Sequence, residues 1–101
     1  MTEKRINNIL AGLDKIFESR IRLGIMSVLS VNESADFNTM KEVMGLTDGN
    51  LASHLKALEK VGYIVSVKKF IGRKPNTSYT LTQEGRKKFK AHIDALEQLL
   101  K

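Results

Sequence analysis

Hydrophobic residues recur at helical spacing through the first third of the chain. An N-terminal helix over residues 6–18 is predicted by four apolar residues at intervals that place them on one helical face. These residues are Ile6, Leu10, Leu13 and Phe17. Ser19 can cap a second helix, which carries its own apolar stripe. Gly24 lies inside that helix at a cost in helix propensity, so we expect a neighbouring element to approach closely there.

Two helices separated by a very short turn are predicted in the middle of the chain. The run Thr39–Glu42 fits a capping box after a polar loop, and the short helix that follows should end at Gly45. We expect this helix to bury Met40, Val43 and Met44. Only Leu46 separates Gly45 from Thr47, which can cap the next helix. The two helices must cross steeply, which predicts a helix-turn-helix over residues 38–62.

The second of these helices, roughly 48–61, has two chemically distinct faces. Its apolar stripe is Leu51, Leu55, Leu58 and Val61, and Gly62 should end it. Its opposite face begins with small or short polar residues, as a face that enters a nucleic-acid groove requires, because long side chains would hold the backbone away.

The hydrophobic period changes from 3.6 to 2 after Ile64, which predicts a β-hairpin over residues 64–81. Its turn is expected at residues 71–76, and Tyr79 and Leu81 should share one face of its second strand. Thr82 can then cap a C-terminal helix over residues 82–100.

The positive charge is concentrated in the last third of the chain. Lysine and arginine number 17 against 11 aspartate and glutamate residues, which gives a net charge of +6. Residues 1–67 hold eight of each sign, whereas residues 68–101 hold nine basic and three acidic residues. A local basic patch attracts a polyanion such as nucleic acid, anionic lipid or an acidic protein surface, although it also favours solubility.

Several functional classes find no support in the sequence. The chain has no cysteine and two histidines, so we expect no disulfide, no metal site and no cofactor. We find no phosphate-binding glycine loop and no nucleophile beside a base, and therefore expect no enzymatic activity. Neither a membrane-spanning run nor a signal peptide is present, which favours a cytoplasmic protein without a membrane partner.

Two segments carry a resemblance to a known family. They are Ser53–Ile64, which reads Ser-His-Leu-Lys-x-Leu-Glu-x-x-Gly-Tyr-Ile, and Tyr79–Arg86, which reads Tyr-x-Leu-Thr-x-x-Gly-Arg. In this order and spacing the chain resembles small winged-helix transcriptional regulators of the MarR/ArsR type, over about residues 15–90. The resemblance implies a mainly α fold with a small β-hairpin, a winged helix-turn-helix with additional N- and C-terminal helices, and residues 1–101 as a single domain.

The resemblance also implies a double-stranded DNA partner, with the helix from Asp48 as the recognition helix and the hairpin as the wing. The residues expected to contact DNA are Asp48, Gly49, Asn50, Ser53, His54, Lys56, Lys60, Lys68, Lys69, Arg73 and Lys74. Asn50 is the best candidate for reading a base, since a carboxamide pairs with adenine through two hydrogen bonds. The alternatives are that these residues form the solvated side of a helix and an ordinary charged hairpin tip.

The terminal helices carry more apolar residues than a three-helix core needs, which suggests a homodimer. The expected interface residues are Ile6, Ile9, Leu10, Leu13, Phe17, Phe89, Ile93, Leu96 and Leu100. Packing of the two helices on each other within one chain is the alternative. The sequence therefore favours a homodimeric regulator that represses transcription, with an unidentified small-molecule effector as a possible partner. A winged helix that binds proteins instead of DNA is the competing interpretation.

Overall fold

Five α-helices, one 3-10 helix and three strands make up residues 2–101, the part of the chain that this computed structural model describes. In order they are α1 (Glu3–Ala11), the 3-10 helix (Lys15–Phe17), α2 (Arg20–Val31), β1 (Ala35–Asp36), α3 (Phe37–Met44), α4 (Asp48–Lys60), β2 (Ile64–Ile71), β3 (Lys74–Leu81) and α5 (Gln83–Gln98). The antiparallel sheet has the order β1-β3-β2. The predicted winged helix-turn-helix with additional terminal helices is confirmed.

The predicted caps of three helices are confirmed. The hydroxyl oxygens of Ser19, Thr47 and Thr82 each accept a hydrogen bond from the backbone N–H three residues later, at 3.3, 3.2 and 2.9 Å. Gly45 and Gly62 follow α3 and α4 with φ of 63° and 81°, a left-handed conformation that only glycine adopts without strain. Local side-chain chemistry therefore determines where these helices begin and end.

The start of α3 differs from the prediction. Asp36, not Thr39, is the N-cap, and its Oδ1 accepts the Thr39 N–H at 2.7 Å. Hydrogen bonds from the Thr39 N–H, the Thr39 hydroxyl and the Asn76 side-chain amide hold the pKa of the Asp36 carboxyl below its ordinary value. The expected capping box is wrong, and part of the expected polar loop is the short strand β1, in which Ala35 pairs with Tyr79. Val43, expected to be buried, is 71% exposed on α3.

The N-terminal helix is shorter than the predicted range of 6–18. The helix α1 ends at Ala11, and Asp14 caps the 3-10 helix by accepting the Ile16 N–H at 3.0 Å. This break turns Phe17 into the core, where its ring lies 5.5 Å from the rings of both Tyr63 and Phe89. At the other end of the chain, α5 ends at Gln98, two residues before the predicted limit.

The core lies between α2, α3, α4 and the base of the hairpin. Its fully buried side chains are Phe17, Ile25, Met26, Leu29, Met40, Leu51, Leu55, Leu58 and Ile64. The close approach expected at Gly24 is confirmed, because a Cβ there would lie 2.6 Å from Cε of Met44 on α3. Val61, expected in the stripe of α4, is 43% exposed after the helix ends.

The hairpin spans the predicted residues 64–81, but its turn is tighter and its second strand begins earlier than predicted. The strands β2 and β3 pair without interruption from Ile64 with Leu81 to Ile71 with Lys74, so only Gly72 and Arg73 form the turn. Pro75 lies within β3 but beyond the two residues that pair with β1, so its missing N–H removes no bond to a third strand. The hairpin therefore projects as a two-stranded wing from the base of the sheet.

Candidate nucleic-acid interface

The outer face of α4 is exposed from its first turn to its last. Leu51, Leu55 and Leu58 hold the opposite face in the core. Six of the seven α4 residues expected to contact DNA are exposed: Asp48, Gly49, Asn50, Ser53, Lys56 and Lys60. A Cβ placed on Gly49 would meet nothing within 4 Å. The first turn of α4 is therefore open to close approach by a ligand surface.

An ion pair joins the two helices of the helix-turn-helix at this surface. Nζ of Lys41 on α3 lies 2.7 Å from Oδ1 of Asp48, in the first turn of α4. The Asp48 carboxylate also lies near the positive end of the α4 dipole. Lys41 thus offsets an acidic charge that would otherwise repel phosphate. The predicted site does not include Lys41, and its pairing across the turn has no signal in the spacing alone.

The structure differs from the prediction at His54. The imidazole is half-buried, and its Nδ1 accepts a hydrogen bond from Nε of Arg22 at 3.1 Å. Burial lowers the pKa of His54 below its ordinary value, and the positive charge of Arg22 lowers it further. A second guanidinium nitrogen of Arg22 donates to the carbonyl oxygen of Ile16 at 3.3 Å. His54 therefore joins α4 to α2, and we leave it out of the residues proposed to read bases.

The wing carries its four expected cations in exposed positions. Lys68 and Lys69 lie side by side on β2 and point to opposite faces of the ribbon, because side chains alternate along a strand. Arg73 lies in the turn and Lys74 begins β3. Positive charge thus surrounds the outer half of the wing instead of marking one face.

A hydrogen bond connects the wing to α4. Oγ of Ser66 on β2 donates to Oε2 of Glu59 near the end of α4, at 3.2 Å. The helix α4 and the strand β2 also pack directly on each other. The exposed face of α4 and the cationic wing are therefore held in a defined relative position.

A buried network supports the junction between α4 and the wing. The hydroxyl of Tyr63 donates to Oδ2 of Asp14 at 2.6 Å, and the Asp14 N–H donates to Nδ1 of His92 at 3.0 Å. Burial and the bond to Asp14 raise the pKa of Tyr63 to about 12. His92 is 4% exposed, and its Nδ1 is the acceptor of that bond. This network links α5 and the N-terminal segment to the residues that follow α4.

The predicted dimer residues fall into three groups by burial. Phe17 and Phe89 lie in the core of the chain itself, at 0% and 8% exposure, so their burial needs no second copy. Ile9 and Leu13 are half-buried. The exposed members are Ile6, Leu10, Ile93, Leu96 and Leu100. The helices α1 and α5 pack together within the chain, yet this apolar surface remains uncovered.

Residues 2–101 contain neither a candidate metal-binding cluster nor a candidate membrane-spanning helix. No cluster of three or more potential metal-ligating His, Cys, Asp or Glu side chains occurs there. In the same part of the chain, no helix combines the length and the apolar character that crossing a bilayer requires.

The fold and the exposed α4 surface beside a cationic ribbon define a winged helix-turn-helix of the DNA-binding kind. The winged helix DNA-binding domain family matches residues 21–100, and the chain belongs to that family. The resemblance to small regulators of the MarR/ArsR type is confirmed, and the protein is a DNA-binding regulator by family and fold.

Individual proteins are similar to this chain in sequence or in fold. The uncharacterized protein MJ0432 of Methanocaldococcus jannaschii is 41% identical over 87 residues, which cover 86% of this chain and 95% of that protein. A transcriptional regulator homologue from Pyrococcus horikoshii OT3 is 30% identical with a TM-score of 0.83, over 96% of this chain and 94% of that one. Reduced AbfR, solved bound to DNA, shares the fold with a TM-score of 0.74 at 17% identity, over 97% of this chain and 70% of that one.

Proposed function

We propose that the protein is a sequence-specific double-stranded DNA-binding repressor that acts as a homodimer and blocks transcription by occupying a promoter. The observation that supports this most strongly is the exposed outer face of α4, with its small-residue first turn, together with a cationic wing that Ser66 joins to the end of the same helix. A recognition helix needs both close backbone approach to base edges and cations at the flanking phosphates.

The residues divide by chemistry into two roles. Gly49, Asn50 and Ser53 present small or hydrogen-bonding groups and are assigned to base edges in the major groove. Lys56 and Lys60 on α4 and the four wing cations are assigned to phosphates, where they position the protein without reading sequence. Asp48, already paired with Lys41, holds the turn of the helix-turn-helix beside the DNA.

A second copy is proposed to cover the exposed apolar residues of α1 and α5. Two-fold pairing there would present two recognition helices to one duplex, at half-sites about 34 Å apart. Apolar burial drives this association, because each buried Leu or Ile side chain contributes about 1.5–3 kcal/mol relative to its exposed state. Residues 1–101 then act as one winged-helix domain per subunit.

The test is selection of a duplex from a random library, followed by titration of the selected and scrambled duplexes at about 50 and 200 mM salt. We expect tighter binding to the selected duplex and a loss of affinity of about 10³ or more between the two salt concentrations, as 6–10 phosphate contacts produce. With the selected site placed across a promoter, the protein should lower transcript yield from purified polymerase. Equal affinity for both duplexes would contradict sequence specificity, and no binding to any duplex would favour the protein-interaction alternative.

Asn50→Ala should relax sequence discrimination at one base-pair position. Removal of a bidentate pair of hydrogen bonds is expected to reduce discrimination there by about 1–3 kcal/mol, while affinity for scrambled DNA changes little. The measurement is titration of all four base-pair variants at each position of the selected site. Asn8→Ala, an exposed asparagine on α1, is the matched control. An unchanged preference at every position would remove Asn50 from base readout.

Replacing both Arg73 and Lys74 with alanine should reduce the salt dependence of binding. Removing one cation from a phosphate lowers the slope of log affinity against log salt by about 0.9, so the double variant should lower it by about 1.8. Lys15→Ala, an exposed cation outside the proposed interface, should leave the slope unchanged. If the double variant keeps the slope of the wild type, the tip of the wing does not contact phosphates.

A further inference from the structure

An exposed aromatic ring lies near the tip of the wing, among the cations. Phe70 is 69% exposed on β2, and its cross-strand partner is Pro75, so two apolar side chains share one face there. A single exposed apolar residue is ordinary on a protein surface. Phe70 is one of four exposed apolar residues on β2, with Val65, Val67 and Ile71, and it carries the only aromatic ring among them. A phenylalanine cannot bind phosphate, so any contact that it makes with a nucleic acid is apolar.

The alternation of side chains places Phe70 on the same face as the link to the recognition helix. Ser66, Lys68 and Phe70 share one face of β2, and Ser66 donates to Glu59 of α4. The next residue, Ile71, is 67% exposed but lies on the opposite face. Phe70 and Ile71 are thus neighbours with nearly equal exposure, and only Phe70 lies on the side of the wing that faces α4.

The reach of the wing matches the geometry of B-DNA. Four residues of extended strand separate Ser66 from Phe70, a distance of about 13 Å, and the turn lies about 20 Å from Ser66. One helical turn of DNA is about 34 Å long, so the minor groove next to an occupied major groove is centred about 17 Å away. A wing of this length is therefore long enough to extend from the end of α4 to the minor groove beside an occupied major groove.

We propose that Phe70 makes an apolar contact inside this minor groove, packing against deoxyribose and the edge of a base step between the phosphates held by Lys68 and Arg73. The inference rests on the proposed function and adds to it a residue that binds without charge. Apolar side chains that enter the minor groove act as wedges between base steps. A contact of this kind releases no counterions, so it adds affinity without adding to the salt dependence.

The first test compares Phe70→Ala, Phe70→Leu and Ile71→Ala with the wild type on the selected duplex across a salt series. Phe70→Ala should weaken binding about tenfold, the scale on which burial of one apolar side chain of this size contributes, at an unchanged salt slope. Phe70→Leu should recover part of this affinity, and Ile71→Ala should bind like the wild type. Because both positions stand on the exposed outer wing, circular dichroism should show the same folded state for each protein.

The second test asks which groove is involved. Within the selected site, A·T pairs beneath the wing are replaced by I·C pairs, which leave the minor groove without an amino group, or by G·C pairs, which place the guanine amino group in it. Replacing I·C with G·C should lower the affinity of the wild type for the duplex more than it lowers the affinity of Phe70→Ala. An equal effect on both proteins would overturn the minor-groove assignment.

The outcomes separate this inference from the proposed function. A wild type that fails to bind DNA contradicts both. A wild type that binds while Phe70→Ala binds equally well contradicts the role of Phe70 alone. A Phe70→Ala protein that changes its mass in solution, by light scattering without DNA, would show that Phe70 contacts a second copy and would overturn the inference.

Discussion

Gly85→Ala is expected to unfold the protein or to lower its free energy of unfolding by about 3 kcal/mol or more. A Cβ on Gly85, in the first turns of α5, would overlap the carbonyl oxygen of Tyr63 and lie 2.7 Å from its carbonyl carbon. The obstacle is backbone that cannot move freely, because the same carbonyl accepts the Thr82 N–H at 3.1 Å and the Thr82 hydroxyl donates to Gly62 at 2.7 Å. A domain of this size has only about 5–15 kcal/mol of stability in total.

Urea denaturation followed by circular dichroism measures this effect, at one fixed protein concentration because a dimer would make stability depend on it. Gly49→Ala is the matched control, since its new methyl group meets nothing within 4 Å and alanine is the better helix former. Its stability should equal or slightly exceed that of the wild type. A Gly85→Ala protein as stable as the wild type would show that α5 can move away from Tyr63 at little cost, contrary to the packing described.

Leu10→Glu is expected to produce a monomer and to lower affinity for a two-half-site duplex by about 10²–10⁴-fold. Leu10 is 48% exposed on α1, within the apolar surface assigned to the second copy, where a buried carboxylate without a partner is costly. The large effect on DNA arises because two linked recognition helices bind one duplex as a single intramolecular event, an advantage that a monomer loses. Light scattering gives the mass, and titration of full and half sites gives the affinity.

Val31→Glu is the control for this substitution, because Val31 is 82% exposed on α2, outside the terminal helices. It should keep the mass and the affinity of the wild type. A wild type that is already monomeric at micromolar concentration, or a Leu10→Glu protein that remains dimeric, would contradict the proposed interface. Equal affinity of Leu10→Glu and wild type for the half site would confirm that the recognition helix itself is intact.

The parts of the fold that local chemistry controls are predictable from the sequence. The caps at Ser19, Thr47 and Thr82 and the glycines at the ends of α3 and α4 act within three or four residues of the chain, so their pattern is visible without coordinates. The change of hydrophobic period after Ile64 likewise predicts the hairpin. The predicted start of α3 is wrong because both Asp36 and Thr39 can cap a helix, and pairing of Ala35 with Tyr79 favours the earlier one.

The candidate site likewise combines features that the sequence predicts with features that only the structure shows. The exposed face of α4 and the charged wing follow from residue types at helical and strand spacing. The position of His54 on α4 allows a contact with DNA, whereas Arg22, 32 residues earlier, holds the ring against α2. Lys41 is missing from the predicted site for a related reason. Its partner Asp48 lies on another helix, so their contact depends on how the two helices pack.

Sequence alone determined the class of this protein: the order of its helices, a small-residue first turn on a capped recognition helix, and a cationic ribbon after it. Only the tertiary structure decided which side chains are buried in the core and which remain exposed to contact a partner. Phe17 and Phe89 became core residues because the chain breaks after α1 and folds back, while Phe70 stayed exposed because only the base of the hairpin packs into the core, at Ile64, Tyr79 and Leu81. Spacing along a chain defines the faces of an element, but the contacts between distant elements determine which of those faces remain exposed.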